Sequence, residues 1–156
     1  NLARNAYAYK SKPTNVAGVW YDSQLEGRMA WILNYNNIPF KPHVRFEVFD
    51  RGGKQFFYVV DFVFEKPQKF VGIPRHIDVL EVKGVLTQHD ILRLDALEYC
   101  HHLRGYIATE VLMDMWAREG VFWYEMDKKV LRVREGVQSP QAGVAGTHPR
   151  GEFTGH

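Results

Sequence analysis

At 156 residues, with 46% hydrophobic and 24% charged side chains, the chain has the size and balance of one globular domain that can bury its own core. No apolar run approaches the roughly 20 residues of a membrane span, the opening NLARNAYAYKSK lacks a signal peptide's apolar block, and the lone Cys100 excludes an intrachain disulfide and points to a cytoplasmic setting. The net charge of +2 is unevenly spread, since 11 Lys/Arg against 6 Asp/Glu give residues 1–75 a charge of +5 and 9 against 12 give residues 76–156 a charge of −3, so the front half suits an anionic partner.

In chain order, AYAYKSKPTNVAGVWY reads as an irregular arm or short strand ending near Trp20. In DSQLEGRMAWILNYNN, Leu25, Met29, Ile32 and Leu33 form the stripe of an amphipathic helix, and Ser23 followed by Glu26 is a capping-box signature. VRFEVF alternates, with Val44, Phe46 and Val48 to one side and His43, Arg45 and Glu47 to the other; DRGGK at 50–54 is a hairpin turn. The returning strand FFYVVDFVF is apolar on both faces and is therefore expected to be central. Residues 65–76 read as a loop, and IDVLEVKG as another strand buried on both faces.

TQHDILRLDALEYCHH predicts a helix with Thr87 as its N-cap, and GYIATEV a buried strand running into a short helix through VLMDMWAREG. VFWYEM and KKVLRVR predict a late hairpin. From Glu135 onward Gly, Pro, Ser and Gln dominate, so residues 135–156 read as a flexible tail. The order predicts one α/β domain over residues 1–134, a mixed sheet flanked by helices, with its core in 17–110 and a C-terminal helix and hairpin in 111–134.

Three charges interrupt the apolar strands: Asp61 in YVVDFVF, and Glu81 and Lys83 in IDVLEVKG. An unpaired charge buried in a sheet costs several kcal/mol, on the order of ~3 or more. Residues two apart on a strand share a face, so Glu81 and Lys83 point the same way, and Asp61 can meet them if its strand is the neighbour. Two carboxylates that close cannot both stay ionised without a cation, and a hard ion such as Mg²⁺ suits them. The competing reading is structural, with Asp61 and Lys83 forming a buried ion pair and Glu81 at the sheet edge. For Glu26, too, two readings stand. As the third residue of a capping box it reaches back to Ser23, whereas its place beside the buried stripe also lets it face the end of the sheet.

The pattern Asp61, then Glu81-Val82-Lys83, on consecutive strands resembles the PD-(D/E)-x-K nuclease superfamily, and Glu26 in DSQLEGRMAWIL matches that superfamily's helical glutamate. Over residues 17–110 the chain is similar to phage nucleases of the endonuclease I type and to archaeal-type Holliday junction resolvases. Val60 stands where the signature has proline. The resemblance implies a restriction-endonuclease-like fold and a metal-dependent endonuclease cutting four-way DNA junctions. It implies Glu26, Asp61, Glu81 and Lys83 as catalytic residues. Asp61, Glu81, the carbonyl of Val82 and Glu26 would hold Mg²⁺, for which Mn²⁺ would substitute. It also implies action in the cytoplasm, including that of a phage's host.

Candidate DNA contacts are Lys10 and Lys12 on the arm, Arg28 and Arg93 on helices, and Lys41, His43 and Arg45 after the first helix. Such charges supply salt-sensitive, sequence-independent binding, and no base-reading helix is evident. Zinc is set aside, since His101 and His102 point apart on a helix and no C-x-x-C occurs. The Tyr and Trp residues fall largely at core spacing. The apolar surplus of VLMDMWAREGVFWYEM reads either as packing beneath the sheet or as a homodimer interface. Two other functional readings remain: a nuclease for duplex, flaps or DNA ends (restriction-like or a transposon-end cutter), and a catalytically silent DNA-binding module.

Overall fold

A short antiparallel hairpin, β1 (Thr14–Val16) and β2 (Val19–Tyr21), leads into α1 (Gln24–Tyr35) in the computed structural model, which describes residues 12–125 and 129–132. Then come β3 (Phe40–Phe49), β4 (Gln55–Phe70), β5 (Ile77–Val82), α2 (Gln88–His101), β6 (Gly105–Ala108), α3 (Glu110–Glu119), β7 (Val121–Glu125) and β8 (Lys129–Arg132). Strand β4 pairs antiparallel with β3 and β5, and β5 pairs parallel with β6 through the crossover helix α2. The chain is α/β, with the mixed sheet and flanking helices its residue pattern predicts.

The helices form where their caps and stripes put them. Ser23 Oγ accepts from the Glu26 N–H at 3.1 Å, and Leu25, Met29, Ile32 and Leu33 are all buried. At α2, Thr87 and Asp90 make a complete capping box, with Asp90 Oδ2 accepting from the Thr87 N–H at 2.9 Å. Helices α1 and α3 cover one face of the sheet, where Met29, Ile32, Met113 and Trp116 join a core with Phe62, Leu80 and Val82. Helix α2 covers the other, its Ala96 and Leu97 packing with Val48, Tyr58, Val60 and Val79.

Strands β3 and β4 change phase at one rung. In β4, Phe56, Tyr58 and Val60 pack toward α2; after Asp61 it is Val63 that does so, while Phe62 and Phe64 turn to the α1 side. In β3 the same change falls at His43, between Phe40 on the α1 side and Phe46 and Val48 on the α2 side. Pairs on either side, Pro42↔Phe62 and Val44↔Val60, keep one register, so both strands turn over together opposite one another. His43 has φ 55, and of the four described non-glycine residues at positive φ it alone lies within a strand. That left-handed conformation costs on the order of 1–2 kcal/mol for a residue with a Cβ.

This phase change corrects two expectations. FFYVVDFVF is not buried on both faces along its length, because Phe57 and Val59 are 54% and 48% exposed. Residues 65–76 are not all loop: β4 continues to Phe70, where Lys69 and Phe70 pair with β7, and Pro67 lies at the irregularity between Val63 and Gln68, where it removes no regular ladder bond. In α3, Met113 and Trp116 are wholly buried in the chain's own core, so packing accounts for them. The tail 135–156 lies outside the described residues.

Gly105 lets α2 close onto the sheet, since a Cβ there would sit 2.5 Å from Leu94 Cδ1 and 2.8 Å from Val79 Cγ2. Gly105→Ala should therefore destabilise the fold by about 1–3 kcal/mol, read as a lower urea midpoint at unchanged m-value. An unchanged midpoint would mean that α2 does not approach β6 this closely.

Candidate active site

Continuing the β4–β5 ladder one rung past Phe62↔Leu80 sets Asp61 opposite Glu81. Here side chains take over from the ladder. The Asp61 N–H donates to Glu81 Oε1 at 2.9 Å, and the Val82 N–H donates to Asp61 Oδ2 at 2.8 Å. Asp61 is 9% and Glu81 3% exposed, so each carboxylate is fixed in the sheet interior by a neighbouring strand's backbone and keeps one oxygen for another partner.

Lys83 follows directly after β5, its N–H held by Ala108 of β6 at 3.0 Å. Its ammonium lies 3.5 Å from Asp90 Oδ1 rather than in an ion pair with Asp61, so the structural alternative of a buried Asp61–Lys83 pair is not what forms. Asp90 also takes Arg93 at 3.0 Å, and Arg93 Nη2 is 4.0 Å from Glu81 Oε2. The first two turns of α2 thus carry a carboxylate and a guanidinium to the rim of the cluster. The Arg93 guanidinium lies 4.8 Å from the Tyr58 ring centroid, over a second buried wall.

Glu26 enters from α1. Its side chain is 14% exposed, its Oε1 makes no hydrogen bond among the described residues, and His43 Nε2 stands 3.8 Å away, also without a hydrogen-bond partner. The His43 ring is 5.2 Å from that of the buried Tyr21. The unusual backbone of His43 therefore turns its imidazole toward Glu26, and Lys41 and Arg45, on either side of the phase change, do not share one face.

Electrostatics match this crowding. Burial, then the charges of Asp61 and Asp22, push the Glu26 carboxyl up to about 8, against a backbone bond at Asp22 and the Lys83 charge. Burial and then Asp61 push Glu81 up to about 8, against the Asp61 N–H, Lys83 and Arg93. Burial lifts Asp61 to about 6, restrained by the Val82 N–H, Lys83 and His43. Asp90 behaves oppositely: burial raises it, but the Thr87 hydroxyl and N–H, Lys83 and Arg93 outweigh that and hold it below the ordinary carboxylate range. The structure thus makes a stable anion at Asp90 and three reluctant ones beside it.

Among the described residues no three His, Cys, Asp or Glu side chains are arranged to hold a metal ion as they stand. Two backbone N–H groups already occupy Asp61 Oδ2 and Glu81 Oε1. A magnesium ion needs only one or two carboxylates with water completing its shell, so a pair of carboxylates destabilised as anions, beside the unpartnered Glu26 Oε1, fits such an ion.

The seven proposed DNA contacts divide. His43 and Arg93 stand at the carboxylate cluster. Arg28 is held by Asp114 on α3 at 2.8 Å. Lys12 and Lys41 are exposed, and the Arg45 guanidinium lies 3.9 Å from the Phe57 ring centroid. Lys10 lies outside the described residues. Sequence reasoning missed Asp90, although the spacing of Thr87 and Asp90 just past Glu81-Val82-Lys83 could have marked it. Nothing in the residue pattern marks the backbone of His43. No family model, curated protein or solved structure matches the chain, and no described helix is long and apolar enough to cross a membrane.

A carboxyl whose folded pKa lies above its unfolded value favours the fold most below the unfolded value and loses that contribution as pH rises. For Glu26 the window runs from 4.5 to about 8. Metal-free Glu26→Gln protein should therefore melt on the order of 5 °C above the parent at pH 8.5, with the difference vanishing near pH 4.5. Scanning calorimetry at the two pH values measures it; equal melting at pH 8.5 would contradict a strained Glu26.

Proposed function

We propose that this chain is a metal-dependent DNA endonuclease of PD-(D/E)-x-K type, with a restriction-endonuclease-like core and four-way junctions as its substrate. The observation that carries the proposal is the rung at which Asp61 and Glu81 oppose one another inside the sheet, each bonded to the other strand's backbone, with Glu26 close enough to feel the charge of Asp61 and Lys83 close enough to favour the anions of all three. A purely structural role explains these groups poorly, because buried charges without close partners destabilise a fold. The order of helix, antiparallel hairpin, third strand, crossover helix and parallel strand supports the same reading.

Hydrolysis of a phosphodiester requires an oriented water and compensation of charge on the phosphate. Asp61 and Glu81, with the Val82 carbonyl, would hold Mg²⁺ or Mn²⁺, and Glu26 would complete the anionic wall. When bound, such an ion supplies Lewis-acid charge at the phosphate. The chain's own contribution is positioning. Asp90 holds the Lys83 ammonium, which orients water by hydrogen bonding and offsets charge on the phosphate oxygens. Arg93 limits the repulsion between Glu81 and an incoming phosphate. Burial of the cluster strengthens each of these interactions.

Asp61→Asn should lower cleavage at least about a thousandfold, as loss of an electrostatic catalytic group does, while DNA binding is retained or tightened because a repulsive carboxylate is gone. Cleavage of four-way junction, flap, nicked and linear DNA with Mg²⁺, Mn²⁺ or chelator tests both chemistry and substrate. Parent-rate cleavage by Asp61→Asn would overturn the assignment. Equal cutting of linear duplex would replace junctions by duplex as the substrate, and binding without any metal-dependent cutting would leave a silent DNA-binding module.

Paired cuts across a junction require two sites, so the proposal includes a homodimer. Sedimentation velocity at micromolar concentration should give twice the mass of the 18.2 kDa chain. A monomer would withdraw junction resolution and leave hydrolysis in place.

A further inference from the structure

Beyond the carboxylate rung the sheet opens. Residues 55–60 of β4 pair with β3, but β5 joins the other edge of β4 only from Phe62 onward. Between this two-stranded ribbon and α2 lies a pocket of about 480 Å³. The Phe56 side chain lines it from β4, Leu92 from α2, and Lys54, His89 and Arg93 bring positive or protonatable groups. Its two acids are already engaged: Asp95 holds Arg51 at 3.0 and 3.3 Å, and Asp50 Oδ1 accepts from the backbone N–H groups of Gly52 and Lys54 at 2.9 Å. What remains is an aromatic and aliphatic slot with cations around it.

Arg93 belongs to both places. It lines the pocket, and it is also the residue that reaches Glu81 at 4.0 Å and Asp90 at 3.0 Å. The pocket therefore adjoins the carboxylate cluster directly. Leu92 is 55% exposed, apolar surface that the chain's own packing leaves uncovered, and Phe56 faces it from the α2 side of the ribbon, whereas the Phe57 ring lies on the other side beside Arg45.

We propose that this pocket receives an unpaired nucleobase of the DNA strand whose backbone passes the carboxylate cluster, with Phe56 and Leu92 against the base and Lys54 and His89 toward its flanking phosphates. The inference rests on the nuclease reading and specifies its substrate further. The pocket's size falls in the range of small-ligand sites, roughly 300–1,000 Å³. Its chemistry, an aromatic platform ringed by cations, is that of single-strand recognition, where every base offers a π face and every phosphate a charge. A continuous duplex keeps its bases stacked inside and presents none to such a slot, whereas a branch point, flap or single strand does. The pocket thus gives a reason for substrates with unpaired nucleotides to be preferred over intact duplex. Occupation by the β-strand of another protein chain along the free edge of β4 is the competing use of the same opening.

The test uses the full chain with Asp61→Asn to prevent cutting, and flapped, single-stranded and duplex oligonucleotides carrying 2-aminopurine. Fluorescence of the unpaired 2-aminopurine should change on binding. Phe56→Leu, which removes the ring face but keeps an apolar side chain, and Leu92→Ser, at an exposed position, should each abolish that change and weaken flap and single-strand binding about tenfold, with duplex binding altered less than twofold. An unchanged signal in the parent, equal affinity for all three DNAs, or variants that bind as the parent does would overturn the proposal. So would a self-associated parent that Leu92→Ser dissociates without any base signal. With Asp61 intact, cleavage of paired and unpaired DNA in an unchanged ratio by Leu92→Ser would remove the pocket and keep the nuclease. Base binding by a protein that cuts no DNA with any metal would remove the chemistry and keep the pocket.

Discussion

The constraint on which the structure turns is the placement of Asp61 opposite Glu81 inside the sheet. Two carboxylates on facing strands would ordinarily be driven out of such a position, or would separate the strands. Here each accepts a hydrogen bond from the opposing strand's backbone, so the same bonds that close the sheet also hold the acids in place. The arrangement remains electrostatically incomplete. Burial disfavours the charged forms of Glu26, Asp61 and Glu81 together, the charge of Asp61 adds to this at Glu26 and Glu81, and a bound cation would relieve all three at once.

The rest of the fold supports that rung. The phase change at His43 and Asp61 lets one ribbon serve two cores, its Phe40, Phe62 and Phe64 end packing against α1 and its Phe46, Val48, Tyr58 and Val60 end against α2. Without it, Val60 and Phe62 would share a face and one would lose its helix. The capping box of α2 then supplies Asp90 to Lys83 and Arg93, coupling helix initiation to the placement of both cations. A loss of Asp90 would therefore reach the site through two routes, the helix start and the ammonium.

Much of this was legible in the residues. The stripe of α1, the caps Ser23 and Thr87, and the buried character of β5 each follow from local pattern, and each helix and strand they imply is present. The acids of the site could be found because a charge in an apolar strand is costly enough to require a reason. What was not legible came from tertiary context. VRFEVF reads as alternating and FFYVVDFVF as buried on both faces, whereas a left-handed histidine resets the phase of the ribbon, and no local residue preference announces that reset. Phe57 and Val59 consequently looked like core and are surface. The far end of β4 was hidden by Pro67, which a strand irregularity accommodates. Long-range pairs such as Arg28 with Asp114 likewise depend on packing that sequence spacing does not encode.

The central claim is that buried carboxyls retain protons until a divalent cation displaces them. Titration calorimetry of Mg²⁺ and Mn²⁺ into the protein at pH 7, in buffers of different ionisation enthalpy, counts those protons directly. The account predicts binding with release of about one to two protons per cation, and loss of both in Asp61→Asn. Binding without proton release, or binding unaffected by Asp61→Asn, would contradict it.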